Sequence, residues 1–404
     1  MATLPGKVYL YKIFDKSGNF ITTWKDVITS PQFSVEINGG FSDMTIELAR
    51  SIYSFGEGVD IAYGNQLKLY AFDMDTGDDG VCIYSGFISS YEPDLEGSKE
   101  VIKVTFLGYW TETNLYMLES GSSTLVSYLT ESPLTIIQDV LTKFNSAGGR
   151  LMAGTSDNPG TVCSYDFNCN TVQEALTQCV TMSPYQYFLR TDSDDKLYMK
   201  LRNASGDHIF HVGRNIANYR QEKRTESIVN VVYFSGGDPG TGTKLYNKYT
   251  ASGSVSSYGR HAYKIVDERV TVESTADNIA NRQISFFSNP EIRITIDILD
   301  NNNQEIGKGY DIESIKVGDT CYILGSTTKG YNLWDSMIWD SDSWDYNISN
   351  SAATVLQIMK ITYTPGMATL EVSNRQPDIS KRIEDVNRNL VNFQTANNPS
   401  TPLT

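Results

Sequence analysis

The chain has 404 residues, of which 40% are hydrophobic and 11% aromatic, and its formal charge is −15. That length exceeds what one hydrophobic core organises, so two to four domains are expected. The acidity opposes binding of nucleic acid by phosphate neutralisation, which needs a dense Lys/Arg surface. No run reaches the roughly 18 apolar residues of a membrane helix, and residues 1–14 lack the charged and then apolar segments of a signal peptide. A chain folded in the cytoplasm, with no stable membrane anchoring, is expected.

In chain order the pattern is first β. Residues 33–37 and 44–48 alternate apolar side chains with Ser34, Glu36, Thr45 and Glu47 around Asn38-Gly39-Gly40, which predicts a hairpin with one buried face. Strand-like runs follow at 66–72, 82–89 and 101–107. Together they predict a β domain over 1–110, with 206–235 as a candidate completion.

Two helices break the pattern. Ser132-Pro133 supplies a cap and a first-turn proline ahead of an apolar face of Ile136, Ile137, Val140, Leu141 and Phe144. Thr171 and Glu174 form a capping box ahead of Ala175, Leu176, Cys179 and Val180. A hairpin at 185–189 and 197–201, turning at Asp192-Ser193-Asp194-Asp195, completes a small α+β domain over 111–205.

Strands then return at 227–234, 321–324, 355–363 and 368–372, the last two joined by Pro365-Gly366. Ile292, Ile294, Ile296 and Ile298 alternate with polar residues as a further strand, and 276–284 reads as a helix. These predict a second β domain over 236–376 with an insertion near 270–310, then a helix and tail over 377–404. The fold class expected is mainly β with small α+β insertions.

Several stretches imitate chemical motifs. Gly237 and Gly242 have the spacing of a phosphate-binding loop, but Lys244 is one place late and Leu245 replaces the magnesium-binding hydroxyl; a hairpin loop is expected. Asp73, Asp75, Asp78 and Asp79 suggest a calcium loop, yet Tyr84 stands where the bidentate glutamate belongs. Cys163 and Cys169 lack a second pair for zinc, and the five scattered cysteines (also Cys82, Cys179 and Cys321) predict reduced thiols. His208 and His211 point to opposite faces of a strand, and His261 stands beside no nucleophile signature. No catalytic, cofactor or metal site is predicted.

Two segments predict contacts with partners. Trp334, Trp339 and Trp344 each precede an aspartate at a period of five, matching neither helix nor strand, so an irregular loop with aromatic anchors is expected. The alternatives are a strand-rich excursion whose rings pack on its own domain, and contact with a membrane. After Pro377, Ile379, Ile383, Val386, Leu390 and Phe393 recur at heptad spacing, the pattern of a seam between chains, the alternative being a short amphipathic helix packed on its own third domain.

Local phrases now carry a resemblance: 210–216 with Gly213, the run 225–233, Tyr258-Gly259-Arg260, the stretch 267–284, and 310–319 from Tyr310 to Asp319. With the order of domains, they resemble the baseplate-hub family of tailed bacteriophages. The resemblance implies two tube-forming β-barrel domains per chain, and a homotrimer whose pseudo-sixfold ring sits at the virion tail tip. It also implies assembly in the host bacterial cytoplasm, and as partners the distal tail protein, the tape-measure protein and a tip fibre, spike or lysin. DNA would pass only in transit, past acidic faces. It carries over no catalytic residue. A distal tail protein, a receptor-binding protein or adhesin, and a cell-wall hydrolase are the competing expectations.

Overall fold

The computed structural model describes residues 7–50, 60–73, 80–96, 99–121, 123–212, 214–224, 228–300, 309–324 and 355–376. Two large sheets dominate. The first is antiparallel and has six strands in the order Phe20–Trp24, Lys7–Phe14, Gln66–Asp73, Val81–Glu96, Lys99–Leu107 and Met44–Leu48. Period-two alternation buries Leu67 and Leu69 on one strand and Ile102, Val104 and Phe106 on another.

The second sheet has eight strands. Six follow the order His208–His211, Thr320–Leu324, Leu356–Thr364, Met367–Ser373, Glu291–Leu299 and Ile216–Arg224; Phe33–Glu36 and Gly40–Phe41 attach to Leu356–Thr364. An N-terminal strand therefore lies in a sheet built from the C-terminal half. The two sheets share one hydrophobic core, in which Ile13, Ile46 and Tyr84 meet Ile296, Ile358 and Leu370. Mainly-β architecture is observed as expected.

The hairpin expected at 33–48 forms differently. Phe33–Glu36 turns back onto Gly40–Phe41, and Met44–Leu48 crosses to the other sheet to pair with Lys99–Leu107. The link must be tight, because a Cβ on Gly40 (φ +68°) would lie 2.6 Å from Trp110 Cβ. The insertion expected near 270–310 also moves. Glu291–Leu299 is interior to the eight-stranded sheet, since Ile294, Ile296 and Ile298 are buried between two neighbours. The excursion occupies 228–287 instead.

A second core holds the α+β unit. The helix Pro133–Ser146 starts at Ser132, whose Oγ accepts from the Thr135 N–H at 3.1 Å. Its five expected apolar residues are all buried, each contributing about 1.5–3 kcal/mol of transfer free energy. The helix Val172–Thr181 has the complete capping box, with both Thr171–Glu174 bonds formed. Strands Tyr187–Asp192 and Lys196–Leu201 pair around the aspartate-rich turn. The excursion joins this core: a three-stranded sheet of Val231–Gly236, Tyr246–Thr250 and Ala262–Asp267 is backed by the helix Glu273–Phe287. Among the described residues, no helix is long and apolar enough to cross a membrane.

Candidate functional site

The polar groups that the fold brings together lie mainly at joints between its parts. Lys7, on the first sheet, reaches Asp300 at 2.7 Å and Glu313 beside it, and both acids belong to the segments flanking the second sheet. All three side chains are nearly buried. Burial pulls the Lys7 ammonium down, but the two carboxylates outweigh it and raise its pKa above the usual 10.5. Burial pushes the Glu313 carboxyl up against the pull of Lys7.

A second joint surrounds His208. Its Nδ1 lies 2.8 Å from the Tyr310 hydroxyl and its Nε2 3.0 Å from Asp319 Oδ2, while the ring stacks on Phe210. Asp319 also accepts from the Lys316 N–H at 3.0 Å and from Arg190 of the α+β hairpin at 3.4 Å. With both ring nitrogens engaged and the ring buried, His208 fastens strands together and holds no free lone pair for chemistry.

Further joints tie the α+β unit to the first sheet. Lys68 pairs with Asp195 at 2.7 Å, and Ser193 Oγ donates to Cys82 O at 2.7 Å. Arg150 pairs with Glu112 at 2.8 Å, donates to Gly64 O and lies over the Phe87 ring at 4.4 Å.

Arg282 is a buried cation. Its guanidinium donates to Ser183 O (3.0 Å), Pro184 O (2.7 Å), Tyr187 O (3.2 Å) and Gln376 Oε1 (3.0 Å), and it stacks on Phe286. Burial pulls its pKa down to about 9, which leaves it charged at neutral pH. It lines a cavity of about 260 Å³ between the Ala262–Asp267 edge strand and the helices Val172–Thr181 and Glu273–Phe287.

The sequence-derived chemical candidates fall out as follows. Asp238 Oδ1 accepts from the Gly240, Thr241 and Gly242 N–H groups, so the glycine-rich loop spends on its own aspartate the amides a phosphate would need. A strand rather than a helix follows it. His211 is half-buried, and burial lowers its pKa; His261 is exposed, with Nε2 against Tyr258 O at 3.0 Å. Cys163 is buried and Cys169 exposed, both as free thiols, and burial pushes the Cys163 thiol up to about 12, away from reactivity. Trp334, Trp339, Trp344, Ile379, Ile383, Val386, Leu390 and Phe393 lie outside the described residues, as does 74–79 of the acidic loop.

Sequence singled out His208 only as a metal or proton-transfer candidate and showed none of these pairings, because the partners of Lys7, Arg190 and His208 are about 100 to 300 residues away. One signal existed: the stretch 310–319 supplies Tyr310, Glu313 and Asp319 to two joints.

No protein-family model matches the chain, and no curated protein matches it in sequence. Among solved structures it is similar to the prophage tail protein gp18 from Listeria monocytogenes EGD-e, at 12% identity and a TM-score of 0.57, over 94% of this chain and 98% of that one. It is also similar to a tail protein from Neisseria meningitidis MC58 (11% identity, TM-score 0.55, 91% and 96% covered). The 43 kDa tail protein of prophage MuSo2 from Shewanella oneidensis matches likewise (13%, 0.55, 91% and 98%). The chain has the fold of these phage tail proteins.

Proposed function

We propose that this chain is a structural hub of a phage tail tip, three copies of which form a ring joining the tail tube and distal tail protein to a tip fibre, spike or lysin. The observation that carries this reading is the end-to-end match to the Listeria prophage tail protein, which takes in both large sheets and the α+β unit together. A match to one module would support a shared fold and no more.

The architecture suits a rigid wall. Two sheets with a common core, bolted by Lys7 and its partners, resist the local opening that separate modules allow. Charge is uneven along the chain: residues 1–110 hold 15 Asp/Glu against 8 Lys/Arg, whereas residues 206–300 hold 11 of each. In this reading the two large sheets are the tube-type domains, and their acidic faces line the channel, where like charge keeps DNA from sticking. The heptad residues Ile383 and Leu390 would converge near the threefold axis or engage the protein below, so Ile383→Asp with Leu390→Asp should weaken assembly and leave the monomer folded.

Light scattering of the purified protein, with negative-stain images of the particle, tests the reading. Three copies in a ring are expected. Six copies would point to a distal tail protein and one copy to a receptor-binding protein, and either would overturn the hub. Peptidoglycan turnover abolished by a single His or Asp substitution would replace it with a hydrolase.

A further inference from the structure

In an acidic chain, one exposed face carries the opposite charge. The three-stranded sheet turns Val232, Phe234 and Tyr249 toward the helix Glu273–Phe287, where the Tyr249 hydroxyl donates to Asp277 at 2.6 Å. Its other side therefore faces outward. Strand register places Lys248, Tyr233 and Lys264 in one row across that side, and Tyr246, Ser235 and Val266 in the next. Adjacent strands lie about 4.8 Å apart, so the two lysines flank Tyr233 at about 10 Å from each other.

Arg260 adds a third cation. It donates to the Tyr233 hydroxyl, and its guanidinium carbon lies 5.9 Å from the ring centroid; Lys248 Nζ lies at 6.0 Å. The surrounding ions are already matched: Lys244 with Glu268, and Arg269 with Asp267. Lys248, Arg260 and Lys264 have no carboxylate partner among the described residues. Tyr233, Tyr246 and Val266 expose 38%, 67% and 57% of their surface. Exposed tyrosines and an arginine are enriched at interfaces, and the unmatched lysines beside them supply rim charge that an acidic partner would meet.

We infer that this face, centred on Tyr233 with Lys248, Lys264 and Arg260, is an intersubunit contact that receives an acidic surface of a second copy of this chain. Charge complementarity selects the occupant. The chain carries −15 overall, and residues 206–300, which contain this face, are balanced, so the acidic surplus lies elsewhere on the same molecule. A two-fold contact centred on Tyr233 is disfavoured, because it would set the three cations against their own copies. The contact is therefore heterologous, the face of one copy against a different surface of the next, which is the kind of contact that builds a ring when its rotation closes. The inference rests on the ring reading above and assigns one side of its subunit boundary.

Sedimentation velocity of the wild type and of Lys248→Glu with Lys264→Glu tests it, at 50 and 500 mM salt. Both lysines are exposed strand residues, and an unchanged far-ultraviolet circular dichroism spectrum confirms that the variant is folded. The expected result is a wild-type trimer whose dissociation constant rises at least tenfold at high salt, and a variant weakened at least tenfold at low salt. Lys248→Arg with Lys264→Arg should assemble as the wild type does. A wild-type trimer matched by an equally trimeric variant overturns this assignment alone. A monomeric wild type overturns the ring reading and this assignment with it. Binding of a single-stranded oligonucleotide that the Glu variant loses, with assembly unchanged, would make the face a nucleic-acid platform and overturn the intersubunit role.

Discussion

Asn38 and Leu189 exchange two hydrogen bonds across 151 residues of sequence: the Asn38 N–H donates to Leu189 O at 2.9 Å, and the Leu189 N–H donates to Asn38 Oδ1 at 2.7 Å. The asparagine thus imitates a strand neighbour and pins the α+β hairpin to the turn that links the two large sheets. Its φ of +55° explains the choice of residue, since asparagine tolerates the left-handed region better than most side chains.

This joint predicts an order of stabilities. Asn38→Ala removes the acceptor of a buried N–H and leaves a Cβ at positive φ, for a loss of about 2–4 kcal/mol. Asn38→Gly loses the same bond without the backbone strain and should be about 1 kcal/mol less harmful. Urea unfolding of the two variants checks this; an alanine variant as stable as the glycine one would refute the backbone argument.

Local signals in the sequence were legible because their physics is local. The Ser132 and Thr171 caps, the apolar face from Ile136 to Phe144 and the alternation at 292–298 each predict one element, and each element forms. Register between distant segments was not legible. Nothing in Met44–Leu48 says that it pairs with Lys99–Leu107 rather than with its neighbour at 33–36; the close approach of Gly40 to Trp110 decides it, and that contact exists only in the folded chain. The buried ions failed to show for the same reason. A lysine at 7 reads as a solvated charge until Asp300 and Glu313 arrive.

The Lys7 triad predicts a pH-dependent difference. Lys7→Met leaves Asp300 and Glu313 buried together without a cation, which costs about 3–5 kcal/mol at pH 7. The folded pKa of Lys7 is raised, so its contribution is complete below 10.5 and is lost as pH climbs through the folded value. On the acid side, Glu313 has a raised pKa that Lys7 holds down, so without Lys7 it takes up a proton at a still higher pH, which relieves the variant more than the wild type as pH falls. The deficit of the variant should therefore narrow as pH falls from 7 towards 5. Chemical denaturation of both proteins at pH 5, 7 and 9 measures it; a gap that stays constant would show that the three groups do not act as a unit.

Arg282 predicts a loss that a conservative change does not avoid. Four acceptors surround a planar fork, and three of them are main-chain carbonyls within five residues of one another. Arg282→Lys offers three tetrahedral donors on a shorter stem, so at least one buried carbonyl goes unpaired, at about 1–3 kcal/mol. Arg282→Ala, which also forfeits the stacking on Phe286, should lose more. Thermal unfolding ranks the three proteins. A lysine variant with the wild-type midpoint would mean that the carbonyls find other donors.

Gly318 predicts a coupling between two residues 130 apart in sequence. Its φ is +89°, and a Cβ there would lie 2.0 Å from Phe188 Cε2, an impossible contact with a ring buried in the core shared by the large sheets. The backbone cannot retreat, since the Gly318 N–H donates to Ile358 O at 2.8 Å and its carbonyl accepts from Gln357 Nε2 at 3.0 Å. Gly318→Ala therefore combines a left-handed alanine with overpacking, for a loss of about 2–5 kcal/mol. Phe188→Ala opens a cavity and costs about 3–5 kcal/mol alone. In the double variant the new methyl group enters the space the ring vacated, so only the backbone part of the glycine penalty remains. The double variant should be more stable than the sum of the single losses predicts, by about 1–3 kcal/mol. Strict additivity in a double-mutant cycle would show that the turn, not the ring, sets the requirement for glycine.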